Sequence, residues 1–154
     1  GRFEIIETNR GKFVIDFAHT PDGLKNILET LKDYTKNRLI AVYGCGGDRD
    51  KVKRAELGRI GTELADLAII TSDNPREEDP MAIIKEIIVG INKANYIAIE
   101  DRSEAIKLAL SMAEEGDVVV LAGKGHENYQ ITNEGVIHFN EKEVVDEILA
   151  NKRK

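Results

Sequence analysis

Five short polar or glycine-rich segments follow apolar runs in this sequence, and they hold most of its side chains suited to binding a ligand. They are AHTPDG (18–23), GCGGDRDK (44–51), SDNPRE (72–77), EDRSE (100–104) and AGKGHE (122–127). Arginine pairs with a carboxylate or phosphate through parallel hydrogen bonds, asparagine offers both a donor and an acceptor, and glutamate can hold an ammonium group. The five segments together predict a site for a ligand that carries both signs of charge.

The segment 72–77 is the most informative of the five. Its Asn-Pro pair sets a rigid turn, from which Asn74 presents an amide and Arg76 a guanidinium. In 122–127, two glycines permit unusual backbone conformations, and Glu127 could hold a ligand ammonium. Two simpler interpretations stay open, namely an ordinary Asx-turn with Arg76 in solvent and a tight turn that leads into a hairpin.

The other loops give weaker signals. Asp16 ends a predicted strand and His19 precedes a predicted helix, where a ribose or phosphate could bind. By itself this segment favours the simpler interpretation, in which Thr20 caps the helix and His19 is a surface residue. The segment 44–51 matches neither GxxxxGK[ST] nor GxGxxG. Arg49 could bind a carboxylate or phosphate, or pair with a neighbouring aspartate.

Short β-branched runs alternate with helical stripes along the chain, which predicts an α/β fold. We expect a Rossmann-like three-layer sandwich with a mostly parallel sheet and an antiparallel edge hairpin. The predicted strands are 2–6 and 12–17, joined as a hairpin, and then RLIAVYG, DLAIITS, YIAIE and DVVVLAG. A second hairpin, YQITN and GVIHFN, is predicted at the sheet edge, followed by a closing helix over 141–150.

Capping residues mark the predicted helix starts: Thr20 and Asp79 precede prolines, and Asp101 and Asn140 each precede a glutamate by three positions. The loops that follow parallel strands meet at the carboxyl edge of the sheet. The five polar segments are therefore expected at one edge.

Composition restricts the function. The chain has 154 residues, a net charge of −6, one cysteine and three histidines. This length predicts a single domain over 1–154, and the acidic charge argues against binding to nucleic acid or to a membrane surface. The cysteine and histidine counts predict neither a disulfide framework nor a metal site. Without a signal peptide or a long apolar run we expect a cytoplasmic protein, and the start at Gly1 suggests a piece of a longer chain.

Five longer segments occur in a fixed order and spacing: DFAHTPDG, YGCGGDRDK, DNPRE, DRSEAI and AGKGHENYQ. In this combination they resemble the C-terminal domain of the Mur ligases over essentially the whole chain. Within that family, DNPR is typical of the members that add meso-diaminopimelate to UDP-N-acetylmuramoyl-L-alanyl-D-glutamate in peptidoglycan synthesis. The resemblance implies that ATP phosphorylates the D-glutamate carboxylate and that the incoming amine then displaces phosphate. ATP and Mg²⁺ would be bound mainly by a central domain and the UDP sugar by an N-terminal domain, neither of which this sequence contains.

The resemblance also assigns roles to single residues. It implies contacts with diaminopimelate for Arg49, Asn74, Arg76, Gly123 and Glu127, and a position near ATP for Asp16 and His19. Arg102 and Lys124 are expected as electrostatic contributors at the same edge. The family places no catalytic residue and no metal ligand in this piece, so the isolated domain is expected to be inactive.

Two other functions fit the sequence less well. A stand-alone α/β binding or regulatory domain of the receiver type would use an acidic cluster and a later lysine, which Asp16 and Lys124 imitate. A nucleotide-dependent oxidoreductase is disfavoured because GxGxxG is absent. Lysine or lanthionine stays open as the added residue.

Overall fold

The computed structural model describes residues 3–47 and 51–152. The elements run in the order β1 (Phe3–Thr8), β2 (Gly11–Asp16), α1 (Pro21–Lys32), β3 (Leu39–Tyr43), α2 (Val52–Leu64), β4 (Leu67–Ile70), α3 (Pro80–Ile88), β5 (Tyr96–Ala98), α4 (Arg102–Met112), β6 (Val118–Ala122), β7 (Tyr129–Thr132), β8 (Gly135–His138) and α5 (Glu141–Lys152).

Six strands form one sheet in the order β1-β2-β6-β3-β4-β5. Each adjacent pair in the part β2-β6-β3-β4-β5 is parallel, whereas β1 pairs antiparallel with β2. β6 lies between β2 and β3, where Val120 is in register with Val14 on one side and Ala41 on the other. The mostly parallel sheet with an antiparallel edge hairpin is thus confirmed.

Two apolar cores cover the two faces of the sheet. Val14 faces the core formed with α1, α2 and α3, whereas Phe13 and Ile15 face the core formed with α4 and α5. Strands β3 and β6 are buried at every position. Burial on both faces explains why these strands are continuous apolar runs rather than alternating ones. The three-layer arrangement predicted from the sequence is confirmed.

The four predicted capping residues act as caps. Each side-chain oxygen accepts a hydrogen bond from a backbone N–H two or three residues later, over 2.9–3.1 Å, at Thr20, Asp79, Asp101 and Asn140. Such caps stabilise a helix by about 1 kcal/mol each. They set where α1, α3, α4 and α5 begin, and hence where the preceding loops end.

The expected position of the second hairpin was wrong. β7 and β8 do pair antiparallel, but they form a separate two-stranded sheet rather than an edge of the main one. The physical reason is that β7 bonds to the loop after β4: Arg76 N–H donates to Ile131 O over 3.0 Å, and Ile131 N–H donates to Asn74 Oδ1 over 3.0 Å. The hairpin therefore packs beside the 72–77 turn.

Among the helices in the described ranges, none has both the length and the apolar character needed to cross a membrane.

Candidate functional site

A cleft of about 460 Å³ opens at the carboxyl edge of the sheet, where the loops after β2, β3, β4 and β6 meet. Five residues singled out from the sequence line it: His19, Asn74, Arg76, Gly123 and Glu127. The rest of the lining consists of Phe17, Thr20, Cys45, Gly46, Lys53, Leu57 and Asp73. Asp16 lies outside this lining, and Arg49 falls outside the described residues. The fold thus collects segments that are far apart in the chain into one concave surface.

The turn after β4 holds Asn74 in a defined orientation. Asn74 is buried, and its Oδ1 accepts hydrogen bonds from Lys124 Nζ over 2.9 Å and from Ile131 N–H over 3.0 Å. Its backbone carbonyl accepts from Gly47 N–H over 2.7 Å. Because both side-chain bonds use the oxygen, the amide nitrogen Nδ2 is the group that Asn74 offers to a ligand.

Arg76 has a left-handed backbone with φ +54°, which is uncommon for a residue with a side chain. Nη1 donates to Gly47 O over 2.9 Å and to Asn74 O over 3.3 Å, so one side of the guanidinium is anchored to the protein. The side chain is only half-buried. The strained turn, held by these bonds, points a guanidinium with further N–H donors toward the cleft.

The loop after β6 contributes a close backbone approach and a carboxylate. Gly123 has φ +115°, and a Cβ built there would lie 2.8 Å from Asp73 Oδ2. Its N–H donates to Asp16 O over 3.0 Å. Only glycine fits this backbone next to a carboxylate without strain. Four residues later, Glu127 lines the same cleft and is half-buried, which suits a partner for an ammonium.

Neither Arg102 nor Lys124, which were expected as electrostatic contributors at this edge, lines the cleft. Both side chains are completely buried. Arg102 donates to Glu141 Oε2, Ser72 O and Ala122 O, each over 2.9 Å. Burial lowers the pKa of Arg102, but the carboxylates of Glu141, Asp73 and Glu127 together outweigh burial and raise this pKa overall. Through these hydrogen bonds Arg102 holds the start of α5 against the ends of β4 and β6.

Asp16 and His19 have different surroundings. Asp16 is buried, and its Oδ2 accepts from Ala18 N–H over 2.8 Å, which shapes the loop after β2. His19 is exposed, with Nδ1 within 3.0 Å of Phe17 O and its ring edge-to-face with the Phe17 ring at 5.0 Å. Thr20 caps α1 next to it. His19 is thus an accessible imidazole at a helix N-terminus, whereas Asp16 acts within the loop.

Sequence reasoning missed Arg54, which lies completely buried on α2. Its guanidinium bonds to Gly46 O over 3.1 Å, to Glu78 and to Glu86. The Glu78 carboxylate, with a further contribution from Glu86, raises the pKa of Arg54 despite its burial. Nearby, burial raises the pKa of the half-buried Cys45 thiol. Arg54 thus connects the loop after β3 with the loop after β4, and both loops line the cleft.

No group of three or more histidine, cysteine, aspartate or glutamate side chains in the described residues could hold a metal ion.

Comparisons with known proteins give a consistent picture. Residues 1–125 match the family described as Mur ligase, glutamate ligase domain. The chain is 57% identical to UDP-N-acetylmuramoyl-L-alanyl-D-glutamate--2,6-diaminopimelate ligase of Clostridium perfringens, with 99% of this chain and 32% of that one covered. It is 56% identical to the protein of the same name from Caldanaerobacter subterraneus, with coverages of 100% and 33%.

Solved structures agree with these sequence matches. A structure of a UDP-N-acetylmuramoyl-L-alanyl-D-glutamate--2,6-diaminopimelate ligase superposes with a TM-score of 0.96 at 43% identity, covering 100% of this chain and 32% of that one. A bifunctional folylpolyglutamate synthase/dihydrofolate synthase, at 21% identity and a TM-score of 0.63, shares the fold; 80% of this chain and 28% of that one are covered. The chain spans about a third of the length of the curated relatives it matches.

Proposed function

This chain belongs to the Mur ligase family, and we propose that it is the amino-acid-binding domain of a longer, cytoplasmic ligase that adds meso-diaminopimelate to UDP-N-acetylmuramoyl-L-alanyl-D-glutamate. One observation carries the proposal. Asn74 and Arg76 supply hydrogen-bond donors and Glu127 supplies a carboxylate in a single cleft. This arrangement suits a substrate end that has a carboxylate and an ammonium on one carbon. The relatives named above carry this activity in their names.

Each of these residues has a proposed role. Arg76 and Asn74 Nδ2 bind the distal carboxylate of diaminopimelate, and Glu127 binds the distal ammonium. Gly123 allows the substrate to approach the backbone, and Arg49 is proposed as a further carboxylate contact. Holding the distal end leaves the other amino group free to react.

The proposed reaction follows from that placement. The free amine attacks the acyl-phosphate carbon of the activated D-glutamate side chain; the new C–N bond replaces the C–O bond to phosphate, which leaves, and the amine loses a proton. Positioning an amine in this way can supply several kcal/mol of the barrier reduction. ATP forms the acyl phosphate, and we propose that other domains of the full chain bind ATP, Mg²⁺ and the UDP-linked dipeptide. Asp16 shapes the loop from which His19 would contact the nucleotide when those domains close.

The alternative of a receiver-like regulatory domain has little support. In such a domain the aspartate must be accessible and the lysine must reach it. Asp16 is buried and bonded to the Ala18 backbone, and Lys124 Nζ lies against Asp73, Asn74 and Glu127.

The test is ATP-dependent phosphate release by the full-length ligase with UDP-N-acetylmuramoyl-L-alanyl-D-glutamate, with meso-diaminopimelate, lysine or lanthionine as the amine. Each assay is repeated with the protein truncated before this domain. Turnover with diaminopimelate only when the domain is present is the expected result. Preference for lysine or lanthionine would refute the assigned substrate, and the absence of turnover with any amine would refute the ligase proposal itself.

A further inference from the structure

We propose that Lys124 is a positioning residue that sets substrate specificity, making the cleft prefer an amino-carboxylate end over a bare ammonium end. This inference rests on the proposed function. Lys124 does not line the 460 Å³ cleft, whereas Asp73, Asn74 and Glu127, which it contacts, all do. Its influence on a ligand therefore passes through these three side chains.

The Lys124 ammonium is completely buried and has a fixed set of neighbours. Nζ lies 2.9 Å from Asn74 Oδ1, 3.5 Å from Asp73 Oδ1 and 3.5 Å from Glu127 Oε1. The rings of Tyr129 and Phe139 have their centroids 5.9 Å and 6.0 Å from it. Aromatic faces at this range attract a cation, so the ammonium is confined between two carboxylates, an amide and two rings.

This arrangement places one buried positive charge against the carboxylates of two residues that line the cleft. Without Lys124, Asp73 and Glu127 would lose the ammonium that lies 3.5 Å from each of them, and the buried Arg102 would compensate their charge only from a greater distance. A more negative cleft attracts an isolated ammonium more strongly and repels a carboxylate. Lys124 therefore disfavours an amino acid that ends in an ammonium alone, such as lysine, relative to one whose end carries both charges.

Lys124 also contributes to the orientation of Asn74, because it donates to Oδ1 and leaves Nδ2 for the ligand. Ile131 N–H donates to the same oxygen, so the amide keeps a partner when the lysine is replaced. Replacing Lys124 by methionine, which has a similar length, thus changes mainly the charge. An electrostatic role predicts opposite effects on the two substrates, whereas a purely structural role predicts equal losses.

The experiment measures kcat and KM of the full-length ligase for meso-diaminopimelate and for lysine, and uses lysine also as a competitive inhibitor against diaminopimelate. For Lys124→Met we expect the ratio of kcat/KM for diaminopimelate to that for lysine to fall at least tenfold. KM for diaminopimelate should rise while KM or Ki for lysine falls, and KM for ATP should stay within about twofold. Lys107→Met, at an exposed position of α4, is the matched control and should leave the ratio unchanged.

A second variant covers the case in which Lys124→Met does not fold. Asp73→Asn removes one of the two carboxylates and leaves Lys124 in place, so the ratio should shift in the opposite direction, with weaker binding of lysine. Equal losses for both amino acids, or an unchanged ratio in the folded variants, would overturn the inference. If the unmodified ligase does not use diaminopimelate, the proposed function fails instead. This result differs from a failure of the role of Lys124, in which the unmodified ligase uses diaminopimelate and the ratio does not shift as expected.

Discussion

The buried ion pair between Arg102 and Glu141 connects three elements of the fold. Arg102 Nε donates to Glu141 Oε2, and the two Nη groups donate to Ser72 O and Ala122 O, each over 2.9 Å. One guanidinium thus connects the ends of β4 and β6 to the start of α5. We expect Arg102→Met to destabilise the chain strongly.

The magnitude follows from the burial of the partner. Both side chains are fully buried, so in Arg102→Met the Glu141 carboxylate would remain inside the protein without a counter-charge. Breaking a buried pair in this way costs about 3–5 kcal/mol. Glu141 Oε1 already lacks a hydrogen-bond partner, so losing the bond to Oε2 isolates the whole carboxylate. Replacing both residues, as in Arg102→Met/Glu141→Met, removes the buried charge and should recover most of the loss.

Urea unfolding followed by circular dichroism measures this effect. With a dependence on urea of about 2 kcal/mol per molar for a chain of this size, the midpoint of Arg102→Met should fall by about 2 M. Arg59→Met is the control, since it breaks an exposed i,i+4 pair with Glu63 and should cost less than about 0.5 kcal/mol. A loss below about 1 kcal/mol for Arg102→Met, or a double variant as unstable as the single one, would refute the reasoning.

Three further predictions concern the site and the opposite end of the sheet. In the full-length ligase, Arg76→Ala should raise KM for diaminopimelate about 30-fold, equivalent to ~2 kcal/mol, because a substrate carboxylate loses its partner; an equal rise in KM for ATP would contradict this. Gly123→Ala places a Cβ 2.8 Å from a carboxylate oxygen at φ +115° and should cost about 2 kcal/mol or more in urea unfolding. Gly135→Ala, at φ +117°, would place its Cβ more than 4 Å from every atom beyond the two chain neighbours, so it isolates the backbone strain and should cost less. Equal losses for the two variants would exclude the clash at Gly123. Burial raises the pKa of Asp117, but the hydrogen bonds from Arg38 and from backbone N–H donors outweigh burial and lower this pKa overall. The Asp117 carboxylate therefore stabilises the folded chain at pH values above its unfolded-state pKa. This stabilisation is lost as the pH falls through the folded-state pKa. Unfolding free energies measured from about pH 6 to pH 2 should therefore fall less steeply for Asp117→Asn, and parallel curves would refute this.

Much of the fold could be predicted because local patterns have local causes. Burial on both faces makes the central strands continuous apolar runs, and a capping side chain bonds to an N–H only two or three residues away. Parallel strands bring their carboxyl ends to one edge, so placing Asn74, Arg76, Gly123 and Glu127 together needed only the strand assignment. Their roles in binding diaminopimelate stay predictions.

The position of the second hairpin could not be predicted from local patterns. Alternation and a glycine turn predicted the pairing of β7 with β8, but they carry no information on what the pair packs against. Its position beside the 72–77 turn depends on bonds between Ile131 and residues more than fifty positions away. Such bonds require the complete sheet, which places β6 and β4 on the two sides of β3.

The sequence alone determined the layers of this protein, the starts of its helices, the edge where its polar loops meet and its resemblance to the Mur ligases, because periodicity, capping and motifs are local properties. Tertiary structure decided which charges are buried. Lys124 and Arg102 are buried charges, and their partners Asn74 and Glu141 lie 50 and 39 residues away in the sequence. A charge can be buried only where distant partners neutralise it and satisfy its hydrogen bonds, and those partners are brought together by the complete fold.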